Sequence, residues 1–382
     1  MKLVHVVLTG ALMLPVSSGG EAAETKPFQL DEASISGVQA AYRSGATTAA
    51  RVVQSYLARI RAYDQAGPKL NVVIFLNPRA LDEAVALDEH LRETGKFVGP
   101  LHGIPVLLKD NINTKDMPTT GDSLSLAGYT PATDAAITRK LRSAGAIILA
   151  KVNLHEFAIW GETVSSVRGQ TLNPYDLTRT PDGSSGGTGA GVAANFAVAG
   201  IGTDTVNSIR SPASANSIVG IRPTLGLVSR AGVIPYSFTQ DAAGSGRFHP
   251  NIEENIKKSQ SLEMDDGYRM RLQKRSELQQ RVMQIMADDR LDAIVFPHQK
   301  RLVVPVGETQ VERNGALGSV TGFPSIVVPG GFSSSTATAA LGVPVGIEFL
   351  GRPWTESVLI EIGYGYEQAT KHRRPPPTTP PL

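Results

Sequence analysis

Residues 183–202 read GSSGGTGAGVAANFAVAGIG, a run in which most side chains are no larger than a methyl or a hydroxymethyl group. From residue 187 onward it reads as a helix of very small residues feeding a strand. Glycine inside a helix costs roughly 0.5–1 kcal/mol relative to alanine, so such a helix is worth building only where neighbouring backbone must come close. The run therefore predicts a deeply buried helix against which other elements pack tightly.

The flanking sequence supplies those elements. Residues 47–64 predict a helix with Val52, Val53, Leu57 and Ile60 on one face, 70–77 a strand, and 78–95 a helix stopped by Gly95. Residues 102–112 form a short apolar strand ending in Lys109-Asp110, and 134–153 a helix followed by a buried strand. Residues 262–287 read as a long helix and 291–296 as a buried strand. This alternation argues for an α/β fold. With 382 residues, 41% of them hydrophobic, the chain can bury a large core. No internal repeat or linker divides it, which leaves one domain over 28–372.

The serine-rich loop has several readings. A phosphate loop needs Lys-Ser/Thr after the glycines, and none follows Gly191. Gly189, Gly191 and Ala194 fit a dinucleotide fingerprint, but the preceding TLNPYDLTRTPD is polar and turn-rich where a strand is required. Gly183-Ser184-Ser185-Gly186-Gly187 also fits a nucleophile elbow, with Ser185 attacking, and the same missing strand counts against it. A fourth reading joins the loop to Lys109, at the end of an apolar strand, and to Ser208, just after another. Serine–lysine systems catalyse acyl transfer without histidine.

These residues stand in a wider pattern: KD at 109–110, NP at 173–174, GSSGG at 183–187, GTDT..SIR at 202–210, PA at 212–213, G.RPT at 220–224 and TQD at 239–241. TGFPSIVVPGGF (321–332) and VPVGIEFLGRP (343–353) extend it. Over about residues 28–372 the chain resembles the amidase signature family. The resemblance implies a large mixed β-sheet core flanked by helices, with Ser208 as nucleophile, Ser184, preceded by a cis peptide bond, as bridging serine, and Lys109 as catalytic lysine. It also implies an oxyanion hole from the main-chain N–H groups of Thr205, Val206, Asn207 and Ser208. Gly183 and Ser185 would support the loop, and Asp204 and Arg210 would form a buried ion pair holding the nucleophile in place.

The chemistry suits such a set. An unperturbed lysine, with a pKa near ~10.4, is neutral in only about one molecule in a few thousand at pH 7. Burial at the end of an apolar strand lowers that value. Asp110 would oppose the shift, so its carboxylate is expected to point elsewhere. The chain departs from the family at Val206-Asn207, where two glycines are usual, and at Asp182, whose carboxylate replaces a glycine beside the relay. TQDAAGS (239–245) also runs directly into Gly246-Arg247-Phe248, where a long segment is usual. That shortening, on the order of a hundred residues by domain-length reasoning, predicts an incomplete sheet.

Other classes find little support. Net charge is +2 with 19% charged residues, so no nucleic-acid footprint stands out. The densest basic run (Arg269, Arg271, Lys274, Arg275, Arg281) is interleaved with acids and predicts a solvated helix face. The chain has no cysteine and no metal-ligand spacing, and neither metal nor cofactor is expected. Lys2 followed by LVHVVLTGALMLPV and SSGGEAAE resembles a secretory signal over 1–22, too short and interrupted to span a membrane. It predicts a secreted or periplasmic protein. Residues 373–382, RRPPPTTPPL, read as a Pro-rich tail with no packing role. The expected function is hydrolysis of a small carboxamide through an acyl-enzyme. The alternative is an impaired or non-catalytic remnant of such an enzyme.

Overall fold

The structure is a computed structural model that describes residues 28–234 and 266–382. The signal reading at 1–22, the TQD motif and the junction at 245–248 lie outside the described residues.

Helix α1 (Ile35–Ser44) is capped by the Ser34 side chain, and α2 (Ala49–Tyr63) by Thr48. Helix α3 (Ala80–Thr94) lends α2 its Asp88, whose carboxylate accepts the N–H groups of Ala49 and Ala50 at 2.7 and 2.9 Å. Those donors have no partner inside the helix, and a carboxylate there also meets the positive end of the helix dipole. The expected face of α2 is inward: Val52, Val53 and Ile60 are buried, joined by Tyr56.

These helices cover a mixed sheet of order β1-β3-β2-β6, built from β1 (Val73–Leu76), β2 (Pro105–Lys109), β3 (Ile147–Val152) and β6 (Ala199–Ile201). Its inner strands β2 and β3 are parallel and buried throughout. This is why they read as unbroken apolar runs rather than alternating ones. Strand β6 runs parallel to β2, with Leu108 opposite Ile201. Parallel pairing brings the carboxyl ends of the two strands together, so the loop after β6 begins beside Lys109. The α4 helix (Ala136–Ser143) precedes β3, and β4 (Val164–Ser165) with β5 (Gly169–Gln170) forms a small ribbon.

The small-residue helix α5 (Gly186–Ala193) is buried against β2, β3, β6 and the short α6 (Arg210–Ala215). A Cβ at Gly187 would sit 2.2 Å from the carbonyl oxygen of Asn153. The close approach inferred from composition is therefore physical: backbone just past the end of β3 occupies the space where a side chain would go.

A second sheet is antiparallel throughout, of order β7-β9-β10-β8: β7 (Gly220–Arg222), β8 (Ala293–Pro297), β9 (Ser325–Phe332) and β10 (Pro344–Gly351). Helix α7 (Asp266–Asp288), α8 (Ala316–Thr321) and α9 (Glu356–Thr370) accompany it. The α/β class and helix-flanked strands match the expectation, while the ladder itself is divided in two. Among the described residues it stops at β6 on one side and β7 on the other, and a cavity of about 320 Å³ lies between them, lined by Val198, Gly200, Val219 and Gly220 among others. Arg269, Arg271, Lys274 and Arg281 on α7 are exposed, as a solvated face requires, whereas Arg275 is half-buried and turned toward Gly322.

The tail reading needs correction. Buried Arg59 on α2 donates to the carbonyl oxygens of Thr379 (2.8 Å) and Pro380 (3.0 Å), and Tyr63 donates to Pro380 at 2.8 Å. Thr378 donates to the Pro174 carbonyl, and Pro376 and Thr379 are buried. Proline-rich chain makes few hydrogen bonds of its own, which leaves its carbonyl oxygens free to accept from a buried arginine.

Gly187→Ala is expected to destabilise the protein by about 3 kcal/mol in urea unfolding, the upper end for overpacking, because the clash is with backbone. Gly365→Ala on α9, where nothing lies within 4 Å of a Cβ, is expected to be neutral or stabilising by about 0.5–1 kcal/mol. Equal effects at both positions would refute the close-approach account.

Candidate active site

Lys109 closes β2 and is fully buried. Its Nζ donates to Ser184 Oγ at 2.7 Å and to Thr203 Oγ1 at 2.9 Å, and Asn111 Nδ2 donates to the same threonine oxygen at 3.0 Å. Among the described residues no carboxylate forms an ion pair with it. Burial therefore dominates and lowers its pKa to about 7, with Asp204 pulling weakly the other way. The next residue along the strand points elsewhere, as expected. Asp110 forms a fully buried ion pair with Lys151 at 2.8 Å and accepts from the N–H and hydroxyl of Thr120. Two lysines on neighbouring strands are thus buried in opposite ways, Lys151 against a carboxylate and Lys109 against hydroxyls.

The serine loop enters α5 from turns, not from a strand. The Gly183–Ser184 peptide bond is cis. Thr163 clamps the loop by donating to the Asp182 carbonyl at 2.7 Å and accepting the Gly186 N–H at 3.1 Å. Ser184 is buried against Lys109. Ser185 turns the other way: its hydroxyl donates to the Thr203 carbonyl at 3.2 Å and accepts the Thr203 N–H at 3.3 Å. Its own N–H donates to the Ser208 carbonyl at 3.1 Å, tying the serine loop to the loop after β6. Asp182 sits at φ 60° and turns its carboxylate to the Gly183 N–H (2.7 Å), Gln299 (3.0 Å) and Arg313 (2.9 Å). Burial raises its pKa, and Arg313 holds it down.

Residues 204–210 fold around one arginine. Arg210 is wholly buried and pairs with Asp204 at 3.1 Å and Glu348 at 2.5 Å. It also donates to the carbonyl oxygens of Gly315 (3.1 Å) and Val206. Burial alone would raise the Asp204 pKa. Arg210, Arg222 and the Ile209 N–H outweigh burial and bring it down to about 2. Asp204 thus stays ionised and holds the N–H groups of Ile209 and Arg210. The preceding N–H groups, of Thr205, Val206, Asn207 and Ser208, donate to no acceptor among the described residues. These four residues line a cleft of about 350 Å³ together with Ile159, Trp160, Gln310 and Arg313. Successive unpartnered N–H groups on a cleft wall form an anion-binding surface.

The structure thus brings Lys109 and Ser184 into contact, ties Ser185 to the Ser208 main chain and pairs Asp204 with Arg210, while no hydrogen bond joins the Ser184 and Ser208 hydroxyls among the described residues. It adds Thr203, Glu348 and Arg313, which the sequence reading leaves unassigned. Thr203 stands within the GTDT stretch, beside Asp204, and that adjacency is the one signal for it. Among the described residues no group of three or more His, Asp or Glu side chains is arranged to hold a metal ion, and no helix is long and apolar enough to cross a membrane.

Arg210→Met is expected to cost ~3–5 kcal/mol in urea unfolding, because it leaves Asp204 and Glu348 buried without their cation. A change below ~1 kcal/mol would mean that the arginine does not hold the loop.

A family model described as Amidase matches residues 51–246. A protein named as a probable amidase from Arabidopsis thaliana is 41% identical over 249 residues, covering 63% of this chain and 48% of the relative. A glutamyl-tRNA(Gln) amidotransferase subunit from Streptomyces coelicolor is 44% identical over 208 residues, covering 54% and 41%. The chain spans about half the length of the curated relatives it matches. Among solved structures, the native peptide amidase from Stenotrophomonas maltophilia superposes with a TM-score of 0.80 at 30% identity, covering 92% of this chain and 99% of that one.

Proposed function

Because the chain belongs to the amidase family, we propose that it hydrolyses the C–N bond of a small carboxamide, with Ser208 as nucleophile, Ser184 as relay and Lys109 as base. The observation that carries this reading is the 2.7 Å contact between Ser184 Oγ and a lysine sealed from water with no acidic partner among the described residues. A neutral Lys109 takes the proton of Ser184 as Ser184 takes that of Ser208, whose oxygen attacks the carbonyl carbon. The developing oxyanion is met by the unpartnered N–H groups of residues 205–207. The same protons return through Ser184 to the leaving nitrogen, the C–N bond breaks, and the acyl group stays on Ser208. Water then enters by the reverse proton path and releases the acid.

The cleft suits a small ligand, since pockets for such molecules begin near ~300 Å³. Its apolar wall is formed by Ile159, Trp160, Val206 and Val311, and Gln310, Glu312 and Arg313 make it polar at one side. The signal reading at 1–22 supports an activity outside the cytoplasm, apart from the transfer-RNA-linked role in the name of its amidotransferase relative. A second reading, a ligand-binding remnant without turnover, is favoured by one observation, the open cavity between β6 and β7.

A fluorophosphonate probe separates these readings. The wild-type chain is expected to label on Ser208, at a rate that rises with pH around about 7 as Lys109 loses its proton and then levels off. Ser208→Ala should abolish labelling, and Lys109→Ala should lower it by about 100-fold or more. Ser185→Ala should leave Ser208 labelled. Folded protein that does not label would contradict the enzyme reading, and labelling lost only in Ser185→Ala would point to an elbow nucleophile.

A further inference from the structure

One buried chain of side chains has no part in the steps above. Ser211 Oγ lies 2.7 Å from His298 Nε2, and His298 Nδ1 lies 2.7 Å from Glu348 Oε2. The spacing is that of a serine–histidine–acid triad, yet all three residues are fully buried and none of them lines the cleft beside Ser208. What the chain does reach is Arg210, through the other oxygen of Glu348 at 2.5 Å. Glu348 thus lies between the Arg210 guanidinium and His298 Nδ1, and the Ser211 hydroxyl closes the chain at His298 Nε2.

Arg210 in turn donates to the Val206 carbonyl oxygen, as does Ser319 Oγ. The Val206–Asn207 peptide is trans, and in a trans peptide the carbonyl and the N–H point in opposite directions. Drawing the Val206 oxygen inward to Arg210 and Ser319 therefore turns the Asn207 N–H away from them, and this N–H has no acceptor of its own among the described residues. Packing leaves the arrangement little room to shift. A Cβ at Gly315 would lie 2.0 Å from Asn207 Oδ1, 2.9 Å from Arg210 Nη1 and 3.1 Å from His298 Cε1.

We infer that His298 and Glu348 are positioning residues for the oxyanion-binding peptide: through Arg210, and with Ser319 as a second anchor on the Val206 oxygen, they fix the direction of the Asn207 N–H. The inference rests on the amidase reading and adds to it residues far from Ser208 in sequence. The device is preorganisation. A donor held in place before the reaction costs no reorganisation when the oxyanion forms.

The test follows fluorophosphonate inactivation of the full chain, resolving the maximal rate kinact from the half-saturating concentration KI, beside a thermal melt. Glu348→Gln keeps the shape and removes the charge. It is expected to lower kinact by about 100-fold while KI stays within about 3-fold, as loss of one oxyanion donor does. Ser319→Ala, which removes only the second anchor, should lower kinact by about 10-fold with little change in melting. His298→Asn retains an N–H for Glu348 and should keep kinact within about 5-fold of wild type, where His298→Ala does not. If wild type labels and folded Glu348→Gln and Ser319→Ala both keep its kinact, or lose only in KI, the positioning role is overturned and the amidase reading stands. If Glu348→Gln does not fold, Ser319→Ala decides by the same criterion. If folded wild type does not label at all, both readings fall together.

Discussion

The structure is organised around an ammonium-bearing side chain kept from water without a counter-charge in contact. Lys109 is fully buried, and among the described residues its Nζ donates to oxygen atoms of Ser184 and Thr203 and pairs with no carboxylate. A charged lysine there has lost its hydration and gains no carboxylate, so the neutral form is favoured. Lys151, one strand away, shows the ordinary solution to the same problem, a buried ion pair with Asp110. The contrast turns on the alternation of β2. Lys109 and Asp110 point to opposite sides of the strand, and only one of the two lysines receives the acid.

Keeping that site requires two loops to stay in register, and the division of the sheet makes this harder. Among the described residues, strand β6, which delivers the Ser208 loop, has no ladder partner on its outer side, and neither does β7. Charge bridges the gap where hydrogen-bonded strands do not. Asp204, just after β6, pairs with Arg222 on β7 at 3.4 Å and with Arg210, which pairs with Glu348 on β10. Breaking one partner of such a buried set is far more costly than the set is stabilising, so it acts as a determinant of geometry more than of stability.

Much of this was legible in the residues. The run of glycine and alanine announced a helix pressed against backbone, and the apolar stretch before Lys109 announced burial. The motif pattern singled out Ser184, Ser208, Asp204 and Arg210, which lie on two loops tied together by the Ser185 N–H and the Ser208 carbonyl. Other parts were not legible, for identifiable reasons. Glu348 and Ser319 meet Arg210, and His298 meets Glu348, across large sequence separations that no local spacing announces. Strands β9 and β10 carry Pro329, Gly330 and Gly346, which break the alternation that marks a strand. The tail looks like solvated polyproline, and only the fold places Arg59 under its carbonyl oxygens. Asp182, conspicuous in sequence as a carboxylate beside the relay, is turned away by Arg313 and Gln299.

The central claim is that Lys109 is neutral near physiological pH because of where it is buried. It is tested most directly by following the Lys109 side-chain resonance across pH in protein carrying labelled lysine, assigned by its absence in Lys109→Met. The expected result is a titration near about 7, with every exposed lysine titrating in its usual range. A Lys109 that stays charged up to about pH 10 would contradict the account, since no base would then be available to the two serines.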